Sequence, residues 1–331
     1  MKRGLLIFIL VVAPMIAAKA DNPFGVMLWP APGQDFALMA ARAGALGVPW
    51  FRPPTLYVDR WRPDTNCAAC KALARNGLSL VLTVRNAGRD SAPRRPSSPP
   101  LDFPSYSATL AAMLEEWHPA MLVVEEEENR LYRFAGTAQD YHLELEAACK
   151  VAHASGVQCA NGGLSYEAAT GLTWYQLLKD GKADLACDYA RRAFYERFDK
   201  LCVFRRADQV PSDLRERLLA NGDGLIPYYR QSPIDAVNFH WNGGDAAALS
   251  QTIDALSRLT GKPVMSNEMS LRRTDSDPSH VRPLMRAALA GGMKLAIWYS
   301  YDGEDSVSLF DEAGRLRPAG QEFAHQMSGL K

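Results

Sequence analysis

Ala120–Arg130 reads AMLVVEEEENR, in which an apolar strand-like run enters Glu125, Glu126, Glu127 and Glu128 without a break. Carboxylates are almost never buried without partners, so such a run ends where the chain reaches water or a polar cleft. The bland alternative is a solvated helix start, because acidic residues favour the first helical turn. A second stretch of the same construction lies downstream: Lys262–Met269, KPVMSNEM, presents Glu268 at the end of another short apolar strand. Two carboxylates from separate strand ends are the minimum for glycoside hydrolysis, one protonating the leaving oxygen while the other attacks or activates water.

Upstream of the acidic run, Phe24–Trp29 (FGVMLW), Val48–Arg52 (VPWFR) and Leu78–Arg85 (LSLVLTVR) read as three strands, each followed by breakers or loop residues. Asp35 caps a helix over FALMAARAGALG, Cys67–Asn76 is helical up to Gly77, and Ser105–Trp117 is the helix that leads into Ala120. Asn86–Pro104 lacks periodicity and reads as a long loop, with Arg89–Arg95 a solvated basic stretch. Downstream, the helix Tyr141–Ala154 precedes a fifth strand, Val157–Asn161, closed by Gly162 and Gly163. Thr170–Pro227 is mostly helical and reads as an elaborated connection. Ala236–Trp241 (AVNFHW), Pro263–Asn267 and Lys294–Tyr299 (KLAIWY) supply strands six to eight, separated by helices over Ala246–Leu259 and His280–Ala290 and followed by Pro318–Met327. Eight strands alternating with helices predict a single α/β domain, a (β/α)8 TIM barrel over 21–331, in which the C-terminal strand ends carry the chemistry. The doubly wound alternative lacks a GxGxxG or GxxxxGK phosphate loop.

Met1–Ala20 carries Lys2 and Arg3, an apolar core and Ala18-Lys19-Ala20, the pattern of a secretory signal peptide. A mature chain beginning near Asp21 is therefore expected to be secreted or periplasmic, with no stable membrane insertion after cleavage. Lys plus Arg and Asp plus Glu both number 37, and this balance, with no long basic run, argues against nucleic acid as a partner. The six cysteines suit disulfides in an exported chain, although several could equally be buried thiols. Cys67 and Cys70 form a CxxC that reads as a structural bridge at a helix start. No second CxxC and no histidine pair at ligand spacing accompanies it, so neither a metal nor a cofactor is expected, and a monomer is.

The polar residues at the strand ends are Arg52, the four glutamates, Asn161, His240, Glu268, Trp298 and Tyr299. At this point the chain resembles the clan A retaining glycoside hydrolases, through VVEEEEN at 123–129, FHWNGG at 239–244, PVMSNE at 263–268, Arg52 and Trp298. The resemblance implies Glu127 as acid/base and Glu268 as nucleophile, in a double displacement with the carboxyls roughly 5–5.5 Å apart. Arg52 would keep Glu268 ionised, and His240 would orient it. Trp29, Trp298 and Tyr299 would offer rings for sugar stacking and Asn161 a hydrogen bond, while their ordinary fate is the core. The clan places asparagine before the acid/base, whereas this chain has Glu126, so a register shift would hand the role to Glu126 or Glu128. A neighbouring carboxylate is expected to raise the acid's pKa by like-charge repulsion. Two other functions fit the same residues: a carbohydrate-binding barrel without catalysis, and a hydrolase using the glutamates as Ca²⁺ or Mg²⁺ ligands.

Overall fold

Eight parallel strands wind into a nearly closed barrel: β1 Phe24–Met27, β2 Trp50–Arg52, β3 Ser79–Arg85, β4 Met121–Val124, β5 Gln158–Asn161, β6 Val237–Asn242, β7 Val264–Ser270 and β8 Ala296–Trp298. A computed structural model supplies the coordinates, and the structure describes residues 22–27, 35–63, 68–87, 96–194, 198–272, 277–300 and 307–330. The leader 1–20, Trp29, the stretch 89–95 and the side chains of Cys67 and Cys70 lie outside the described residues. Hydrogen-bonded neighbours run in the order β5-β4-β3-β2-β1-β8-β7-β6, and a two-residue strand, Leu56–Tyr57, pairs with the end of β3.

Alternation along the strands divides the core in two. Met27, Val81, Met121, Val123, Ala160, Ala236, Met265, Leu295 and Ile297 fill the barrel, while Leu80, Leu82, Leu122, Val124, Phe239 and Trp241 point outward to the helices. The seam between β5 and β6 has only isolated bridges, Ala160 with Ala236 and Leu164 with Phe239. Asn161 and Asn238 close it with side chains used like peptide groups. Asn238 N–H donates to Asn161 Oδ1 at 2.6 Å, Asn161 Nδ2 to Asn238 O at 3.0 Å, and Asn238 Nδ2 to Asn161 O at 3.1 Å. Every buried polar group needs such a partner, and here the side chains supply what the ladder lacks.

Helix starts follow local capping chemistry, and two lie a little upstream of the sequence expectation. Asp102 accepts from Ser105 N–H and Pro104 occupies the first turn, so that helix runs Phe103–Trp117. Thr137 and Asp140 form a capping box, so the next runs Ala138–Ala154. The expected elaboration resolves into helices Tyr166–Lys179, Ala183–Ala193, Phe198–Leu201, Ser212–Leu219 and Gly222–Gln231, the last continuing through Pro227. Four cysteines are paired rather than free: Cys149–Cys159 ties the 138–154 helix to β5, and Cys187–Cys202 clips the elaboration. No helix among the described residues is long and apolar enough to cross a membrane.

Candidate active site

Strand β4 stops at Val124, and the four glutamates occupy the turn that follows instead of continuing its alternation. Glu125 and Glu127 take the left-handed backbone region, φ 71° and 49°, which non-glycine residues enter only at a cost of order 1–3 kcal/mol. The side chains consequently separate. Glu125 and Glu128 turn into the protein, and Glu126 and Glu127 turn towards the groups at the mouth.

Glu125 accepts from Arg85 Nε at 3.2 Å, Asn86 N–H at 3.2 Å and Ser97 Oγ at 2.5 Å. Burial raises its pKa from 4.5 to about 7, outweighing Arg85 and these hydrogen bonds. Glu128 accepts from Asn161 Nδ2 at 2.9 Å and from the Tyr229 hydroxyl, and burial pushes its pKa upward as well. The strand-five end passes close behind. A Cβ on Gly162 would lie 2.5 Å from the Glu125 carbonyl carbon and 2.6 Å from Glu128 Oε2, so only glycine fits. Gly162→Ala is expected to destabilise the protein by about 2–3 kcal/mol, from overpacking against backbone. Chemical denaturation checks this, and an unchanged midpoint would show that the turn can move.

At the mouth, Glu127 Oε1 lies 3.3 Å from His240 Nδ1, and its Oε2 lies 3.3 Å from Arg130 Nε and 3.4 Å from Arg133 Nε. Burial alone would raise its pKa, but the His240 hydrogen bond and the three cations prevail and hold it at about 2. The expected rise by like-charge repulsion is thus reversed: Glu125 and Glu128 are turned inward, and the cations facing Glu127 outweigh the carboxylates that remain near it. Glu126 faces Arg133 at 3.4 Å and Arg85 at 3.6 Å. Burial opposes the charges of Arg52, Arg133 and Arg85, which win and lower its pKa.

Glu268 reaches the same space because β7 is irregular. Asn238 is level with Met265, but His240 is level with Glu268, so β7 carries one extra residue between the pairs. A bulge of this kind re-aims side chains. Met265 packs inside the barrel and Met269 outside it, while Asn267 and Glu268 both meet polar groups of the interior. Glu268 Oε2 is 3.4 Å from Arg52 Nη1 and 4.0 Å from His240 Nδ1. The nearest oxygens of Glu127 and Glu268 are therefore separated by no more than 3.3 Å plus 4.0 Å, the two distances to that nitrogen. Arg52 is fully buried; its Nε donates to Thr83 Oγ1 at 3.1 Å, and its Nη1 to Asn267 O at 2.9 Å.

Glu127, Glu268, Arg52 and His240 thus converge, and Glu126 stands beside them. Three other expectations require correction. Asn161 is fully buried with its amide committed to the barrel seam and Glu128. Trp298 faces outward, its ring against Phe323 and its N–H donated to Val307 O at 3.1 Å, so it belongs to the outer core. Glu128 is not oriented as an alternative acid, being enclosed by Tyr229, Asn161 and Gly162. Tyr299, by contrast, continues the inward parity of Ile297 and packs against the barrel-interior cluster. Asn267, Thr83, Arg130 and Arg133 were missed from the sequence. The signal for the arginines was their spacing, three and six residues after Glu127.

A cavity of about 890 Å³ opens on the Asn86 side of the buried Glu125, with Asp59, Asn86, Pro96, Leu101 and Tyr106 among its walls. Its described lining includes neither Glu127 nor Glu268. Among the described residues, no group of three or more His, Cys, Asp or Glu is arranged to hold an ion.

No protein-family model matches the chain, and no curated protein is significantly similar to it. Solved structures do match. A family 39 glycoside hydrolase from Bacteroides cellulosilyticus superposes with a TM-score of 0.59 at 12% identity, over 93% of this chain and 64% of that one. A subgroup I family 128 endo-β-1,3-glucanase mutant from Amycolatopsis mediterranei, in complex with laminarihexaose, gives a TM-score of 0.51 at 12% identity, over 92% and 99% of the two chains. The subgroup II enzyme from Pseudomonas viridiflava gives 0.52 at 17% identity, over 91% and 96%. The chain shares its barrel fold with these glycoside hydrolases. Identities this low show the fold and no more; in that fold Glu127 lies in the turn after strand four and Glu268 towards the end of strand seven.

Proposed function

We propose that this protein is a retaining glycoside hydrolase, exported and acting on an oligo- or polysaccharide, with Glu127 as acid/base and Glu268 as nucleophile. The observation that carries the reading is the approach of both carboxylates to one nitrogen of His240, from the ends of β4 and β7. The upper bound on their separation is compatible with the roughly 5–5.5 Å of a retaining pair, and the stereochemistry of the product decides between retention and inversion. In the first half-reaction Glu268 Oε2 attacks the anomeric carbon, the glycosidic C–O bond breaks, and a proton delivered through Glu127 goes to the leaving oxygen. In the second, Glu127 takes a proton from water, whose oxygen displaces Glu268 and restores both groups. Arg52 is the counter-ion to the nucleophile. Glu126, clamped between Arg85 and Arg133, presents an acceptor to a sugar hydroxyl where the clan presents an amide. Trp29 and Tyr299 remain proposed stacking residues.

The family 128 neighbours are endo-β-1,3-glucanases, so laminari-oligosaccharides head the substrate panel, followed by other β-glucans and activated aryl glycosides. Proton NMR of the first-formed sugar is expected to show retained anomeric configuration. Inverted product would overturn the double displacement, and binding without turnover across the panel would favour the non-catalytic barrel.

The low pKa of Glu127 also has a thermodynamic signature. Folding moves it from 4.5 to about 2, so the folded state gains stability from this group above pH 4.5 and loses it as pH falls towards 2. Glu127→Gln should flatten that part of the curve, narrowing the fall in Tm by several degrees relative to the parent. Scanning calorimetry at stepped pH measures it, and parallel curves would refute the assignment.

A further inference from the structure

The amides behind His240 decide where its protons sit. Asn238 is held in one orientation by main-chain groups on two sides: its Oδ1 accepts from Asn267 N–H at 2.9 Å, and its Nδ2 donates to Asn161 O at 3.1 Å. Reversing this amide would set donor against donor and acceptor against acceptor. The same Nδ2 donates to the Asn267 side chain at 2.8 Å, so the Asn267 atom there is its oxygen. That oxygen also lies 3.1 Å from His240 Nε2. An oxygen with no hydrogen can only accept, which makes Nε2 an N–H donor whether the ring is neutral or charged. A Cβ on Gly163 would lie 2.6 Å from Nε2 and 2.9 Å from Asn238 Nδ2, so Gly163 packs directly against this side of the ring.

The consequence falls on the other nitrogen. Nδ1 faces Glu127 Oε1 at 3.3 Å. With Nε2 already protonated, a neutral ring would turn a bare lone pair towards a carboxylate, so one proton belongs between them. We infer that Asn238 is a positioning residue: acting through Asn267, it holds His240 Nε2 as N–H, so that Nδ1 and Glu127 share the single proton available for the leaving group. The inference rests on the acid/base role proposed for Glu127. It explains how a carboxyl that is ionised at rest can serve as an acid. The proton is stored on the ring and passes through Glu127 Oε1 when a leaving oxygen approaches, and the pair titrates as a unit rather than as two separate groups. The charged groups bearing on the ring are Glu126, Glu127 and Glu128 from the turn after β4, Glu268 from β7 and Arg52 from β2. Burial alone would disfavour the imidazolium, but Glu268 and Glu127 outweigh it and raise its pKa.

Nitrogen-15 NMR of the full chain with labelled histidines tests this without any substrate. The His240 signals, one set among six histidines, are identified by their loss in His240→Gln. In the parent, Nε2 is expected to keep an N–H type shift at every pH at which the protein is folded, while Nδ1 alone moves to the lone-pair type at the alkaline end. Asn238→Ala frees Asn267 to turn, so the titration of Nδ1 should move acidward by about one pH unit, with the alkaline limb of kcat/KM moving alongside it. A lone-pair shift for Nε2 in the parent, or an unchanged titration in folded Asn238→Ala, would overturn the inference. The parent spectrum decides the tautomer even if that variant does not fold. Failure to find glycoside hydrolysis would count against the proposed function alone and leave the ring nitrogens to report independently.

Discussion

Glu268→Gln is expected to abolish turnover of an activated aryl glycoside, by roughly 10⁴-fold or more, the scale of removing a covalent nucleophile. The amide is nearly the same shape but cannot form or leave a glycosyl ester. Glu127→Gln should behave differently on the same substrate. A good leaving group needs little protonation, so formation of the glycosyl-enzyme survives, and its hydrolysis slows by about 10²–10⁴-fold for want of a base. Added azide needs no base to attack the anomeric carbon, and should restore turnover in Glu127→Gln with a β- or α-glycosyl azide of retained configuration as product. Azide should leave Glu268→Gln inactive, because no covalent intermediate forms there. If both variants retained activity, or azide rescued the Glu268 variant instead, the assignment of roles would be wrong. The contrast also separates Glu127 from Glu126: Glu126→Gln retains the acid/base and should show no azide effect.

Arg52→Leu carries the second large effect, and it combines stability with activity. The guanidinium is fully buried and joins three strands, to Thr83 on β3, to Asn267 O and Glu268 on β7, and through its own backbone to β2. Leucine fills part of the volume but leaves Glu268 without its arginine counter-ion, takes the Arg52 donor from Asn267 O, and leaves Thr83 Oγ1 with only the long 3.4 Å bond from Asn267 Nδ2. Breaking a buried pair from one side costs about 3–5 kcal/mol, and the mouth of the barrel should loosen with it. Arg52→Lys separates the contributions. It keeps a positive charge, but one ammonium cannot span Thr83, Asn267 and Glu268 as the planar fork does. Urea denaturation should rank the proteins parent, lysine, leucine, and kcat/KM should fall by about 10²-fold even in the lysine variant. Parent-like stability in Arg52→Leu would mean that the barrel closes without this tie.

The residues these variants probe were not equally legible. Arg52 and Glu268 could be picked out from composition, as charged residues at the ends of apolar runs, because burying such a residue requires a partner and partners cluster at strand ends. Within the quartet, strand alternation would pair Glu125 with Glu127, and the resemblance alone singled out Glu127. The chain had already left the strand, and two left-handed residues send neighbouring side chains to opposite destinations. Asn161 was read as a ligand for substrate because a polar residue at a strand end has no visible partner in sequence; its partner, Asn238, is 77 residues away across the seam. Trp298 was misread for the reason of parity, since one residue's difference along β8 exchanges the barrel interior for the helix layer.

The order of strands and helices, and the two acidic strand ends, were therefore determined by the sequence alone, because hydrophobic period and the cost of stranded charge are local properties. Which carboxylate faces which cation was decided only by the tertiary structure. It depends on the bulge in β7, the turn after Val124 and the asparagine-closed seam, where side chains far apart in the chain satisfy one another and so choose a single arrangement.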